Sequence, residues 1–179
     1  IHVVPFSVTD LVEREPSTQI KKLASGDPYI LCIGALEPRK NHARLIDSFE
    51  TVHSKNPHVR LFLVGPDGPA RPAIDAALAR LSHEARSRVV IAGRVSHGDR
   101  TWLLKNASMV AYPSLYEGFG LPLLEAMTAH TPIVTTREGS LEEVAADAAC
   151  FVDAHDTDDI ARGIIDILES DDLRDKLIA

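Results

Sequence analysis

Residues 29–54 read YILCIGALEPRKNHARLIDSFETVHS. They open with an apolar run over 29–34 that ends at a glycine, which is the pattern of a short buried strand. A polar loop follows, and residues 43–54 then place apolar side chains at helical spacing. A buried strand that leads through a polar loop into an amphipathic helix is typical of a βαβ unit and favours a parallel sheet.

The same alternation of apolar runs and amphipathic stretches continues along the chain. It predicts strands over 29–34, 59–65, 89–93, 109–113, 133–136 and 150–152. It predicts helices over 43–54, 72–85, 99–107, 121–129, 141–146, 158–169 and 172–178, with a short helix over 17–25 that Pro16 begins. The expected fold class is therefore α/β, with a parallel sheet of about six strands covered by helices on both faces.

Composition narrows the class of protein. The chain has 179 residues, of which 45% are hydrophobic and 25% charged, as in one ordinary globular domain. A net charge of -7 argues against a general nucleic-acid-binding surface. Cys32 and Cys150 lie in apolar runs and are interpreted as buried thiols in a reducing compartment, without the spacing of a zinc site. No apolar run is long enough to cross a bilayer, and because the first residue is Ile1 we expect a longer natural chain.

Polar loops follow three of the predicted strands, over 34–41, 93–95 and 114–120. In an open parallel sheet such loops meet at the carboxyl edge, where ligands bind. The chain has neither G-x-G-x-x-G after the first strand nor G-x-x-x-x-G-K-[ST], which argues against a dinucleotide fingerprint and a P-loop. Arg39 and Lys40 offer a planar fork beside a point charge, which suits a diphosphate, although a solvated basic pair explains them at least as well on charge alone.

The loop before the fourth predicted crossover helix indicates a ligand site more specifically than this basic pair does. Gly118 and Gly120 would let backbone amides turn toward an anion at the positive end of that helix. Glu117 precedes the glycines and Glu125 lies one turn into the helix, which predicts one carboxylate at the mouth of the crevice and the other deeper. Such carboxylates accept hydrogen bonds from the vicinal hydroxyls of sugars and riboses. The alternative is that both acids have structural roles only. Glu117 would then favour the start of the helix, and Glu125 would be an exposed residue on its surface.

A resemblance to a known family gives a more specific prediction of fold and function. Residues 117–125, EGFGLPLLE, resemble the signature of the retaining glycosyltransferases of family 4, in which seven residues separate two glutamates. GALEPRKN at 34–41 and YPSLYE at 112–117 stand in the order of that family, and the resemblance covers essentially the whole chain. It implies the C-terminal half of a GT-B fold, with a leading interdomain segment over 1–28, a Rossmann-like nucleotide-sugar-binding domain over 29–179, and an N-terminal acceptor domain outside this chain.

The resemblance also implies roles for individual residues. Arg39 and Lys40 would grip the donor diphosphate and neutralise the leaving group, and Glu117 would bind hydroxyls of the transferred sugar, which makes these three the catalytic set. The donor-binding set would comprise Glu125 on the ribose, the amides of Gly118, Phe119 and Gly120 near the sugar, those around Leu121 near the phosphate, and Arg94 and the main chain of Val95 around the base. No metal or other cofactor is expected.

The implied function is that of a bacterial hexosyltransferase of polysaccharide biosynthesis. It would move a sugar from a nucleotide diphosphate donor to a glycan or lipid-linked acceptor with retention of configuration. GDP-mannose is the favoured donor, because the EPRKN form of the first loop resembles a subgroup rich in mannosyltransferases, although Ala35 stands where many members carry Arg. The chain alone should lack transferase activity. The full protein should be cytoplasmic, with any peripheral contact to the inner face of the plasma membrane made by the missing half.

Two other functions stay open: a non-catalytic module that binds a nucleotide sugar, and an epimerase of the GT-B fold. A phosphorylase and an NAD enzyme are disfavoured, because neither a clear motif for a pyridoxal-phosphate lysine nor a glycine fingerprint is found. Asp156-Thr157-Asp158 matches the D-x-D metal motif of another glycosyltransferase fold, but a helix start is expected there and capping explains these residues. Trp102 lies at helical spacing among apolar neighbours and is predicted to belong to the core.

Overall fold

A computed structural model describes residues 15–179, which build a six-stranded sheet in the order β3-β2-β1-β4-β5-β6. Every pair of neighbouring strands is parallel. The strands are β1 (Tyr29–Ile33), β2 (Arg60–Val64), β3 (Val89–Gly93), β4 (Met109–Tyr112), β5 (Ile133–Thr135) and β6 (Cys150–Phe151). The predicted α/β class and the six strands are confirmed, while residues 1–14 of the leading segment lie outside the described part.

Helices connect and cover the strands. They are α1 (Thr18–Ala24), α2 (His42–Lys55), α3 (Arg71–Arg80), α4 (His83–Ser87), α5 (His97–Asn106), α6 (Leu121–Thr128), α7 (Leu141–Ala145), α8 (Thr157–Glu169) and α9 (Asp171–Ile178), with a 3-10 turn at Pro38–Lys40. Most bounds agree with the predicted ranges to within a few residues. Across residues 15–179, no helix combines the length and the apolar character needed to cross a bilayer.

The prediction of one continuous helix over 72–85 is wrong. The segment breaks at Leu81, which has an extended backbone with ψ of 150°. The hydroxyl of Ser82 then accepts a hydrogen bond from the amide of Ala85 at 3.2 Å and starts α4. Leu81 and Ala85 both pack into the core, so the apolar spacing continues through the break and concealed it.

The first helix belongs to the leading segment and packs on the sheet. The Ser17 hydroxyl caps α1 by accepting from the amide of Ile20 at 3.3 Å. Pro16 therefore precedes the cap instead of occupying the first helical position, which corrects the expected start. Ile20 and Ala24 are buried in the same apolar cluster as β1, so this helix covers part of the sheet.

The sheet has an apolar cluster on each face, as a doubly wound fold requires. One is formed with α2, α3 and α8 and includes Leu45, Phe49, Ile74 and Ile164. The other is formed with α1, α5, α6 and α7 and includes Ile20, Leu103, Leu123 and Leu141. Trp102 packs against the second cluster, as predicted. Cys32 is a buried free thiol, whereas Cys150 is only half-buried and corrects the prediction of two buried thiols.

The strand order places the loops after β1 and β4 side by side. The chain moves outward from β1 to β3 and then returns to the other side of β1, so the order reverses between β1 and β4. Ligands of such sheets bind at this point, outside the carboxyl ends of the strands. The Leu115 amide donates to the Arg39 carbonyl at 2.7 Å and the Asn41 amide group donates to the Pro113 carbonyl at 3.0 Å, which ties the two loops together.

Candidate functional site

Two cations from the β1 loop meet one carboxylate from the β4 loop. Nη1 of Arg39 lies 2.7 Å from Oε2 of Glu117, and Nζ of Lys40 lies 2.6 Å from Oε1. Each carboxylate oxygen therefore accepts from one cation. We call Arg39, Lys40 and Glu117 the cation–glutamate cluster. Nε of Arg39 also pairs with Oε2 of Glu37 at 2.8 Å, so the exposed end of the cluster has a second acid.

The members of the cluster differ in how much water reaches them. The side chains of Lys40 and Glu117 are each 8% exposed, whereas that of Arg39 is 43% exposed. Burial alone would raise the pKa of Glu117, but the hydrogen bond from Lys40 and the charge of Lys40 outweigh it and hold that pKa below the ordinary value. The cluster thus contains a buried, ionised glutamate, a buried lysine paired with it, and a solvent-exposed guanidinium.

Tyr112 supports the cluster from within the sheet. Its hydroxyl is in hydrogen-bond contact with Nζ of Lys40, and that nitrogen lies 4.4 Å from the centroid of the tyrosine ring. Burial raises the pKa of Tyr112 well above its ordinary value, so the phenol stays neutral. Tyr112 was predicted to lie in a strand and belongs to the YPSLYE segment, but no role in the site was predicted for it. The available signal was a tyrosine at a strand end, since a buried phenol hydroxyl needs a polar partner.

The glycine loop that follows Glu117 leads into α6. Gly120 precedes α6 with a φ of 92°, and a Cβ there would lie 2.8 Å from Cδ2 of Leu141. Only glycine fits this conformation and this space without strain. Pro122 lies in the first turn of α6, as predicted. Gly118 and Leu121 are exposed at the rim, so the start of the helix faces solvent beside the cluster.

A cleft of about 350 Å³ opens next to the cluster at the ends of β1, β2 and β3. It is lined by Ile33, Gly34, Ala35, Val64, Gly65, Pro66, Arg94, Val95, Arg100 and Pro122. Gly34 connects the cleft to the cation–glutamate cluster, because the aliphatic stem of Lys40 passes over it. A Cβ at Gly34 would lie 3.1 Å from Cε of Lys40. The structure thus brings the predicted Arg94 and Val95 to a cleft that adjoins the cation–glutamate cluster.

Glu125 lies on α6 in an ion pair with Arg100 of α5. Burial raises the pKa of Glu125, and Arg100 and His97 offset this only in part. The expectation that Glu117 lies at the open mouth of the crevice was wrong, because its side chain is only 8% exposed; that of Glu125 is 15% exposed. The two cations draw Glu117 inward, which its position ahead of the glycines did not reveal. Arg100 was also missed, and no motif in the sequence points to it.

The D-x-D pattern has the structural role that was predicted. The Asp156 carboxylate caps α8 by accepting from the amides of Asp158 at 2.9 Å and Asp159 at 3.2 Å. Over residues 15–179, no three His, Cys, Asp or Glu side chains converge in a way that could hold a metal ion. Metal independence of the reaction stays a prediction.

Comparison with known proteins identifies relatives over nearly the whole chain. The family model for glycosyl transferases group 1 matches residues 13–179. The O-antigen chain mannosyltransferase B of Escherichia coli is 33% identical over 172 residues, which are 93% of this chain and 45% of that protein. The serotype-specific mannosyltransferase WbdA of Escherichia coli is 29% identical over 164 residues, which are 88% of this chain and 19% of that protein. The chain thus spans less than half the length of these relatives.

Solved structures share the fold. A sucrose-phosphate synthase from Thermosynechococcus elongatus superposes with a TM-score of 0.79 at 24% identity, covering 96% of this chain and 44% of that chain. WaaG, a glycosyltransferase involved in lipopolysaccharide biosynthesis, superposes with a TM-score of 0.72 at 21% identity, covering 95% of this chain and 47% of that chain. The architecture is therefore that of one half of a GT-B glycosyltransferase.

Proposed function

The chain belongs to the group 1 glycosyltransferases, and from this membership we propose that it is the donor-binding domain of a retaining, metal-independent hexosyltransferase. The donor is a nucleotide diphosphate sugar, and the acceptor is a glycan or a lipid-linked glycan. The observation that carries the proposal is the cation–glutamate cluster. Its members come from two loops 78 residues apart in the chain and meet at the carboxyl edge of the sheet, where such folds bind ligands.

The two cations suit a diphosphate in different ways. Lys40 is a buried point charge held in place by Glu117 and Tyr112. Arg39 is exposed and its planar guanidinium can turn from Glu117 and Glu37 toward two phosphate oxygens. A buried ammonium and an exposed guanidinium would stabilise the charge that develops on the departing diphosphate. The amides of Gly118, Phe119, Gly120 and Leu121 complete the proposed contacts to the sugar and phosphates.

The geometry of Glu117 supports retention without an enzyme nucleophile. Both of its oxygens already accept hydrogen bonds from cations, which lowers its tendency to attack a sugar carbon. Such a carboxylate can still accept a further hydrogen bond from a sugar hydroxyl, because each oxygen has two lone pairs. We therefore assign Glu117 to orientation of the transferred sugar. Departure of the diphosphate and attack by the acceptor then occur on the same face of the ring.

The choice of donor rests on the relatives. Two of them are mannosyltransferases by name, which supports transfer of mannose, and we propose GDP-mannose as the donor. The base would lie in the cleft against Arg94 and Val95, and Glu125 would accept hydrogen bonds from the ribose. The acceptor domain and any peripheral contact with a membrane are assigned to the part of the natural protein outside this chain.

Calorimetric titration of the purified chain tests this proposal. The probes are GDP, UDP, ADP and GDP-mannose, with and without a chelator, against the wild type and Glu125→Ala. The matched control is Asp47→Ala, which removes an acid on α2 that pairs with Arg80 of α3 and is not among the residues that line the cleft. We expect one base to bind best, without dependence on chelator, and Glu125→Ala to weaken it about tenfold or more while Asp47→Ala leaves it unchanged.

The full-length protein separates the remaining alternatives. Incubation with GDP-mannose and a glycan acceptor, followed by NMR of the anomeric centre, should reveal transfer with retention. Conversion of the nucleotide sugar without any acceptor would point instead to an epimerase. Binding without any turnover would point to a non-catalytic module. Equal binding of wild type and Glu125→Ala would contradict the assigned ribose contact.

A further inference from the structure

Arg100 lines the cleft but belongs to none of the motifs in the sequence. We propose that Arg100 is a positioning residue of the donor site, which holds Glu125 ionised and oriented so that one of its oxygens accepts from a ribose hydroxyl. This inference rests on the proposed function, since it explains how Glu125 performs the role assigned to it. It adds Arg100 of α5 to the proposed donor site, through its partner Glu125 on α6.

The geometry couples two neighbouring helices. Arg100 lies in the second turn of α5, and its Nη2 donates to Oε2 of Glu125 on α6. Among the described residues this pair spans 25 positions in the chain, so it depends on how α5 and α6 pack. Arg100 donates to Oε2, and within the described residues no hydrogen bond to Oε1 is found, so Oε1 remains for a ligand. Because Arg100 also lines the cleft with Arg94 and Val95, the pair lies where a bound nucleotide would reach it.

The electrostatics explain why Glu125 needs such a partner. Its side chain is mostly buried, and burial favours the neutral carboxylic acid. Among the described residues, the side chains that lower its pKa are Arg100 first and then His97, both on α5. Glu117, which precedes α6, is paired with Arg39 and Lys40. Arg100 therefore supplies the main charge that keeps Glu125 a carboxylate, the form that accepts hydrogen bonds best.

Arg100 also differs from Arg80, which pairs with Asp47 at the surface. Its side chain is 30% exposed, compared with 57% for Arg80 in its pair with Asp47. Both Nε and Nη2 of Arg80 donate to Asp47, whereas Nε of Arg100 is buried and, within the described residues, has no hydrogen-bond partner. A buried donor without a partner lowers stability. This arginine is therefore less than ideal for stability, which fits a role toward a ligand.

A direct test measures the charge of Glu125. Glutamate labelled with carbon-13 at the carboxyl group is titrated by NMR in the wild type, Arg100→Gln, Arg100→Lys and the control Arg80→Gln. Loss of the positive charge in Arg100→Gln should move the Glu125 midpoint to higher pH. Arg100→Lys should restore much of the wild-type midpoint, and Arg80→Gln should not change it. A Glu125 midpoint in Arg100→Gln equal to that of the wild type would overturn the proposal.

A second measurement separates this inference from the proposed function. Calorimetry compares GDP with 2′,3′-dideoxy-GDP at neutral and at mildly acidic pH. The wild type should prefer GDP at both, and Arg100→Gln should lose about tenfold of that preference on acidification. If Arg100→Gln keeps the full preference at acidic pH, the role of Arg100 is refuted and the donor site stands. If the wild type has no preference, the ribose role of Glu125 fails, and with it this inference.

Discussion

The surroundings of Glu117 and of Glu125 differ although seven residues separate them in the chain. Both side chains are mostly buried, yet the pKa of Glu117 is lowered, because two cations hold one carboxylate oxygen each. Glu125 has one arginine partner, and its pKa is raised by burial. Depth alone therefore does not decide the charge of a buried acid. The number and position of its cationic partners do, and they divide two identical side chains into a permanent anion and a titratable acceptor.

Removal of Lys40 should have the largest effect on this contrast. Lys40→Met leaves Glu117 without its buried partner, and we expect the free energy of unfolding to fall by about 3–5 kcal/mol. Urea denaturation at neutral pH measures it. Arg80→Met, which breaks an exposed pair with Asp47, should cost less than about 1 kcal/mol. If Lys40→Met also loses less than about 1 kcal/mol, Glu117 is solvated and the contrast with Glu125 is absent.

Removal of the Tyr112 hydroxyl should have a smaller effect, confined to the Glu117 side. Tyr112→Phe keeps the ring beside Lys40 but deletes the hydroxyl that contacts Nζ. We expect a loss of roughly 1.5–3 kcal/mol in the free energy of unfolding, as for hydrogen bonds to charged groups. The carboxyl titration of Glu125 should stay unchanged in this variant. A shift of that midpoint would indicate that the two glutamates share one network.

The dependence of the free energy of unfolding on pH should reveal the opposite pKa shifts of Glu117 and Glu125, with effects on the order of 1 kcal/mol. The lowered pKa of Glu117 gives stability that is present above the ordinary value of 4.5 and is lost as pH falls through the folded value. The raised pKa of Glu125 gives stability that is present below 4.5 and is lost as pH rises through the folded value.

Urea denaturation across pH then separates the two sites. Glu117→Gln should flatten the acidic limb of the stability profile, and Glu125→Gln should flatten the limb above 4.5. Asp47→Asn serves as the surface control. If both glutamine variants flatten the same limb, the opposite environments assigned to the two acids are incorrect.

Much of the fold follows from local patterns in the sequence. Apolar runs that end at Gly or Pro located the strands, because parallel strands buried on both faces are apolar throughout. The loops after β1 and β4 were expected to meet, since ligands bind at the carboxyl edge of such sheets. Arg39, Lys40 and Glu117 were named on this basis together with the family resemblance. Their convergence in the structure agrees with that reasoning, whereas their roles toward a donor are still proposals.

The features that could not be predicted from the sequence depend on packing between distant segments of the chain. The pairing of Arg100 with Glu125 arises from the contact of α5 with α6, and no spacing in the chain encodes it. The break at Leu81 was hidden because both sides of it face the core. The depth of Glu117 depends on two cations from another loop. In each case the chemistry of the residue was visible in the sequence, but its neighbours were not.

The affinity difference between GDP and GMP tests most directly whether the cation–glutamate cluster binds a diphosphate. Calorimetry on the wild type, Arg39→Ala and the control Arg80→Ala gives this difference for each chain. We expect the wild type and Arg80→Ala to bind GDP at least about tenfold more tightly than GMP, or about 1.4 kcal/mol. Arg39→Ala should lose most of that preference. Equal affinities in the wild type, or an undiminished preference in Arg39→Ala, would contradict the role of this cluster.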